Sequence, residues 1–264
     1  MNKLDLLRQS GKLLSALKID RGLLHWQEVL RRKNYLRAVI YHDTPAGTAS
    51  PFEKQLRFYQ KHFSPVSKSD LDRFFQTGRW HKERPGLMLT FDDGFQSNFE
   101  VALPLLEQYG FTGWFFIPVG WVNQPDRMSW EEIRRLGQRH VIGCHTRTHR
   151  RMVRGLPDEI LQDEIAASKK DLEEGLGRPV DCFGWVGGEL PTYTGTAHAL
   201  IKKAGYRYAF MTNSKPIGPK TNPFFLERTY AEPHWSVPEI TFMISGVVDW
   251  LYRSKRKKVA RNLA

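Results

Sequence analysis

Leu87-Met-Leu-Thr-Phe-Asp-Asp-Gly94 is an apolar run that ends in two adjacent carboxylates and a glycine. The run predicts a buried strand, and Gly94 permits a sharp turn where it ends. Side chains alternate along a strand, so Asp92 and Asp93 leave it in different directions. One carboxylate can then hold a metal while its neighbour acts as a base. An ordinary strand-to-helix loop with an Asx turn would carry the same three residues. A second cluster bears on that choice. His145-Thr-Arg-Thr-His149 also follows an apolar run, Val141-Ile-Gly-Cys144. Two imidazoles and one carboxylate form a common catalytic zinc set, with a fourth position left for water.

Taken together, Thr90-Phe-Asp-Asp-Gly94 and His145 to His149 resemble the first two motifs of the polysaccharide deacetylases, carbohydrate esterase family 4 or the NodB-homology fold. The resemblance covers roughly residues 36 to 232. It implies an α/β fold, a distorted (β/α)7 barrel, with Asp93, His145 and His149 as ligands of a divalent metal, zinc first. Asp92 is then the general base, and the reaction is removal of an N-acetyl or N-formyl group from an amino sugar in a polysaccharide or lipid-linked glycan.

In the branch that includes the biofilm exopolysaccharide deacetylases the motif order is circularly permuted, and an early Tyr-His supplies the general acid. Val39-Ile-Tyr-His42 is similar to that motif and makes His42 the acid, with His234 in Glu232-Pro-His-Trp235 as the alternative. The third motif matches in part: Phe183 and Gly188 fit, but Gly184 stands where an arginine is expected and Val186 where a proline is. Arg228, ending Phe224-Phe-Leu-Glu-Arg228, either replaces that arginine from a neighbouring strand or is a surface arginine. The same departure keeps open a catalytically inactive carbohydrate-binding barrel. Trp185 and Trp235 read as sugar platforms or core, and Glu189 as a sugar contact or a helix start.

Strand-like runs begin near residues 38, 87, 112, 141, 180, 208 and 224 and alternate with helical patterns, the rhythm of a parallel barrel. Active sites of such barrels lie at the strand C-termini, where all six candidate residues fall. Residues 52–80 read as two helices, the second opened by Ser69-Asp70. Ser97-Asn-Phe-Glu100 and Ser129-Trp-Glu-Glu132 read as capping boxes. A long helix begins at Pro157 and stops at Gly177 before Pro179.

The chain divides into an amphipathic lead-in over 1–34, the barrel over 35–235, and an amphipathic helix with a basic tail over 236–264. Its 264 residues carry 40 Lys and Arg against 28 Asp and Glu, +12 in all, which predicts anionic company. No zinc-finger, RNA-recognition or helix-turn-helix pattern points to a specific nucleic acid. Cys144 and Cys182 lie in apolar runs and read as buried thiols. The N-terminus lacks the unbroken apolar core of a signal peptide, so the expected location is cytoplasmic. The stripe Ile240, Met243, Ile244, Val247, Val248, Leu251 and the cluster Arg253 to Lys258 read either as a last barrel helix with a solvated end or as a contact with the inner face of an anionic membrane. Arg147, Arg150, Arg151 and Arg154 beside the second motif would then face a phosphorylated or lipid-linked glycan.

Overall fold

In the computed structural model, which describes residue 22 and residues 29–263, seven parallel strands close on themselves into a barrel. The strands are β1 (Leu36–Tyr41), β2 (Ser64–Pro65), β3 (Gly86–Asp92), β4 (Gly113–Ile117), β5 (Val141–Cys144), β6 (Cys182–Gly184), β7 (Tyr208–Met211) and β8 (Leu226–Tyr230). β3 to β8 pair in chain order, and β1 closes the ring between β8 and β3. β2 is a two-residue fringe on β3, too short to show a sequence pattern. The seven barrel strands begin within about two residues of the apolar runs that mark them. The lead-in expected over 1–34 lies almost wholly outside the described residues.

Strand alternation sorts the core into two layers. Leu36, Ala38, Met88, Trp114, Phe116, Phe210 and Leu226 form one buried cluster, the lumen. The alternate residues Val39, Tyr41, Leu89, Phe91 and Phe115 belong to a second cluster between strands and helices. Both cysteines are buried free thiols.

The covering helices are α1 (Ala49–His62), α2 (Lys68–Thr77), α3 (Asn98–Ala102, a π-turn, continued by Leu103–Gln108), α4 (Trp130–Gly137), α5 (Asp158–Leu161, a π-segment Gln162–Ala167, then Ser168–Leu176) and α6 (Gly195–Lys203). Two predicted helix starts move. α2 is capped by Ser67 rather than Ser69, because Ser67 and Asp70 exchange the reciprocal bonds of a capping box. Ser97 caps nothing; its hydroxyl donates to Asp43 Oδ1 at 2.5 Å and accepts from the Thr44 amide at 3.0 Å. Ser129 and Glu132 form the predicted box, and Gly177 ends α5 at φ 70°.

The C-terminal segment is three helices, α7 (Val237–Ile244), α8 (Val247–Leu251) and α9 (Arg253–Leu263), broken at Gly246 with φ 100° and at Tyr252. Its apolar stripe faces the barrel, not the surroundings: Ile240, Met243, Ile244 and Val248 are at most 3 % exposed. Arg37, fully buried on β1, grips Asp249 of α8 at 2.7 Å and 3.1 Å. A membrane contact through that stripe is therefore corrected. No helix of the described residues is long and apolar enough to cross a membrane.

Candidate active site

Register brings the site together. Met88, Thr90 and Asp92 share one side of β3, and Leu226 and Arg228 share one side of β8, so Asp92 and Arg228 both enter the lumen near its C-terminal end. Arg228 meets Asp92 as a fork: Nη1 lies 2.6 Å from Oδ1 and Nη2 2.8 Å from Oδ2. The guanidinium also donates to the Met211 carbonyl and to Thr90 Oγ1, and stacks over Phe116 at 5.1 Å. Both side chains are at most 2 % exposed. Of the two readings of Arg228, the surface one is excluded by this burial. Gly184 explains why no arginine stands on β6: a Cβ there would lie 3.0 Å from His145 Nδ1 and 2.9 Å from Phe116.

Asp93 is out of phase with Asp92, yet it returns to the same space because its backbone is left-handed, φ 71°. Thr146 and His149 are left-handed too, at 66° and 61°. For a β-branched threonine this conformation is strained, and such strain concentrates at functional sites. Asp93 Oδ1 lies 3.1 Å from His149 Nε2 and 3.6 Å from His145 Nε2. Ligand atoms from the three residues all fall within 4.8 Å of one another. His145 Nδ1 donates to the Gly184 carbonyl at 2.8 Å, which leaves Nε2 with its lone pair towards the two carboxylates. Burial holds this imidazole below its usual range against the pull of Asp92 and Asp93, so it is a neutral donor. Burial opposes ionisation of Asp93, but the neighbouring His149 and His145 outweigh it and hold the carboxyl at about 2. Two imidazole nitrogens and one carboxylate oxygen at the cavity fit a divalent cation of the zinc type.

The loop carrying the histidines is held from behind by a residue that sequence reading missed. Glu164, 2 % exposed on the π-segment of α5, accepts from the Arg147 and Thr148 amides at 2.9 Å each and from the Thr148 hydroxyl. Its only signal was an acid in helical phase with Leu161 and Ser168. Trp121 backs the His149 ring at 4.8 Å.

Asp92, Asp93, His145 and His149 line a cavity of about 550 Å³ together with His42, Trp185, Tyr230 and Glu189. His42 follows β1 and is half-buried; the loop after it is pinned by the Asp43 and Thr44 bonds to Ser97 and by Thr44 Oγ1 to Asn98 at 2.9 Å. His234 is exposed and does not line the cavity, since Gln55 ties the chain around it through the carbonyls of Glu232, Pro233 and Trp235. Trp235 is core, 1 % exposed and outside the cavity lining, whereas Trp185 is buried and lines it. Of the four arginines near the second motif only Arg151 reaches the cavity; Arg147 is bound to Asp163 and Asp171, and Arg150 lies 3.6 Å from Glu164. The tail supplies Met243, Val248, Tyr252 and Lys255 to the lining, which the reading of a separate tail did not foresee.

The family model described as polysaccharide deacetylase matches residues 80–209. The poly-beta-1,6-N-acetyl-D-glucosamine N-deacetylase of Staphylococcus aureus (strain N315) is 22% identical over 227 residues, 75% of this chain and 74% of its own. YxkH of Bacillus subtilis (strain 168) is 24% identical over 151 residues, 57% of this chain, and the match spans only 53% of its length. Among solved structures, IcaB from Ammonifex degensii superposes with a TM-score of 0.70 at 22% identity, covering 82% of this chain and 97% of that one. The Streptococcus pyogenes deacetylase PplD does so with 0.68 at 19%, covering 78% and 95%. At these identities the superpositions speak for the fold.

Proposed function

This chain belongs to the polysaccharide deacetylase family, and from that premise we propose that it hydrolyses the N-acetyl group of an amino sugar in a glycan with the help of one divalent metal. The observation that carries the reading is the convergence of Asp93, His145 and His149 on a cavity that Asp92 and His42 also line. When bound, zinc or a similar ion would polarise the acyl carbonyl and make water more acidic.

The chain's own residues account for the proton movements. Asp92 takes a proton from the attacking water, with its plane fixed by the Arg228 fork. His42, just after β1, donates a proton to the leaving nitrogen, so the C–N bond breaks with release of a neutral amine and a carboxylic acid. Arg228 does from β8 what an arginine on β6 would do, and this removes the ground for an inactive carbohydrate-binding barrel.

The test is acetate release from N-acetylglucosamine oligosaccharides, run beside metal analysis of the purified protein. About one zinc-like ion per chain and acetate release abolished by a chelator are expected. Loss of neither metal nor activity in His145→Ala, His149→Ala and Asp93→Asn would overturn the assignment.

Location is a second reading, favoured by one observation. Trp250 is 70 % exposed beside Arg253 and Lys257, an aromatic and basic face suited to an anionic headgroup layer. The glycan would then be lipid-linked, and the chain peripheral on the inner face of the membrane.

A further inference from the structure

The C-terminal segment lies outside the residues that the family model matches, yet it walls the cavity. Met243, Val248 and Tyr252 give that wall an apolar surface, and Lys255, in the first turn of α9, gives it a cation. The register of α9 is fixed by the next residue. Arg256 donates to the carbonyls of Asn213, Ser214 and Asp249 at 2.9, 2.6 and 2.7 Å. Asp249 is in turn held by Arg37 and by Ser214 Oγ at 2.7 Å. A helix turn locked at 256 presents 255 in one direction.

A second cation comes from the other side. Arg151, two residues beyond His149, places Nη2 3.4 Å from Glu189 Oε1. Both side chains fold over Gly187, whose φ is 80°: a Cβ there would lie 3.0 Å from the Glu189 carboxylate and 3.3 Å from the Arg151 guanidinium. Bonds from the Glu189 and Gly188 amides hold the Glu189 carboxyl below its usual range, and the charges of Arg151 and Lys255 add to that. Two cations and one half-exposed carboxylate therefore surround the turn at 187–189. Arg228, the other arginine near the cavity, is consumed by Asp92.

We propose that Lys255 and Arg151 bind an anionic substituent, a phosphate or a carboxylate, on the glycan that presents the N-acyl amino sugar, so that the tail makes the enzyme select acidic over neutral glycans. The inference rests on the deacetylase reading for the place of the sugar. A phosphate or carboxylate on the substrate competes with Glu189 for Arg151, and charge-assisted bonds to guanidinium favour a well-placed oxyanion.

Matched N-acetylglucosamine oligosaccharides, one neutral, one phosphorylated and one carrying a carboxylate, provide the test. The native enzyme should show a lower KM for at least one anionic oligosaccharide than for the neutral one, and the two anionic arms tell phosphate from carboxylate. Lys255→Glu should raise the anionic-to-neutral KM ratio by roughly tenfold, because reversal replaces an attraction by a repulsion. Lys255→Gln, a milder change, should give a smaller shift in the same direction. Equal KM values for all three substrates, or a ratio that neither variant moves, would overturn the proposal. If no oligosaccharide is hydrolysed, the deacetylase reading fails by itself. Calorimetric binding of the same three compounds then decides this inference: tighter binding of an anionic one, weakened in Lys255→Glu, upholds it, and equal affinities end it.

Discussion

A carboxylate as buried as Asp92 persists because Arg228 meets both of its oxygens in a plane. Removing one partner of such a pair leaves an uncompensated charge, at a cost of about 3–5 kcal/mol. Arg228→Met should therefore lower thermal stability by that order as well as activity and leave the metal in place; Asp92→Asn strands the buried guanidinium, so it should also melt lower while keeping the metal, and it should lose roughly 100- to 10,000-fold in turnover. Melting curves and metal analysis beside the rates check both variants; an Asp92→Asn enzyme of near-native activity would strip Asp92 of the base role. Glu227, next to Arg228 on the opposite side of β8, is the counterexample. It is 6 % exposed and accepts a bond from the Asn213 amide at 2.7 Å, yet burial pushes its carboxyl up to about 7. The unfolded chain ionises it near its ordinary value, so between about pH 4.5 and 7 the folded state binds more protons. Stability attributable to Glu227 falls with rising pH across that window and is level above it. Glu227→Gln, which cannot ionise, should gain on the native protein across the same window, by up to about 3 kcal/mol, as denaturant melts at pH 4.5 and pH 8 would show.

At the scale of elements, the barrel strands were legible because each is a compact apolar run, three of them closed by His42, Asp92 and His145, and strand phase alone predicts that Asp92 leaves β3 towards the lumen. Phase does not bring Asp93 back to Asp92; a left-handed residue does, and nothing in a sequence prints a φ of 71°. Arg228 was visible as a candidate, but only the β8–β1–β3 neighbourhood shows that its fork reaches Asp92. Glu164 was hidden for another reason: an acid within an amphipathic helix reads as solvent-facing until its partners, the amides of the 147–148 loop, are known. Its removal tests how much that loop matters. Glu164→Ala leaves two amides without their acceptor, at about 1–3 kcal/mol for each one that stays buried, and frees the histidine loop. Zinc affinity by competition titration should fall by about 10- to 100-fold, with a smaller loss in Glu164→Gln, which keeps one acceptor oxygen. Native affinity in both variants would mean that strand β5 and the Gly184 carbonyl suffice to hold the ligands.

For the whole molecule, a net charge of +12 has two outlets, the cavity and the outer surface, and the tail serves both. Helix α9 turns Lys255 towards the cavity and buries Val259 and Leu263 against the barrel, while Arg253 and Lys257 stay outside beside Trp250. The apolar stripe that suggested an anchor is spent on the core, so a membrane contact of the tail would be made by charge and one indole. Such a contact is weak and screened by salt, since exposed charges lose most of their reach beyond about 10 Å at 0.1 M ionic strength. Co-sedimentation with liposomes should accordingly need anionic lipid, decline as salt rises, and drop in Trp250→Glu and in Arg253→Gln with Lys257→Gln. Deleting the tail would be a poor test, because it would also open the cavity wall and uncover Arg37. The point variants leave Asp249, Arg256 and Lys255 in place, and glycan hydrolysis in solution should then stay near the native rate. Equal recovery in the supernatant with and without anionic lipid would show that the exposed basic face is simply solvated, and that the tail's work lies inside the cavity.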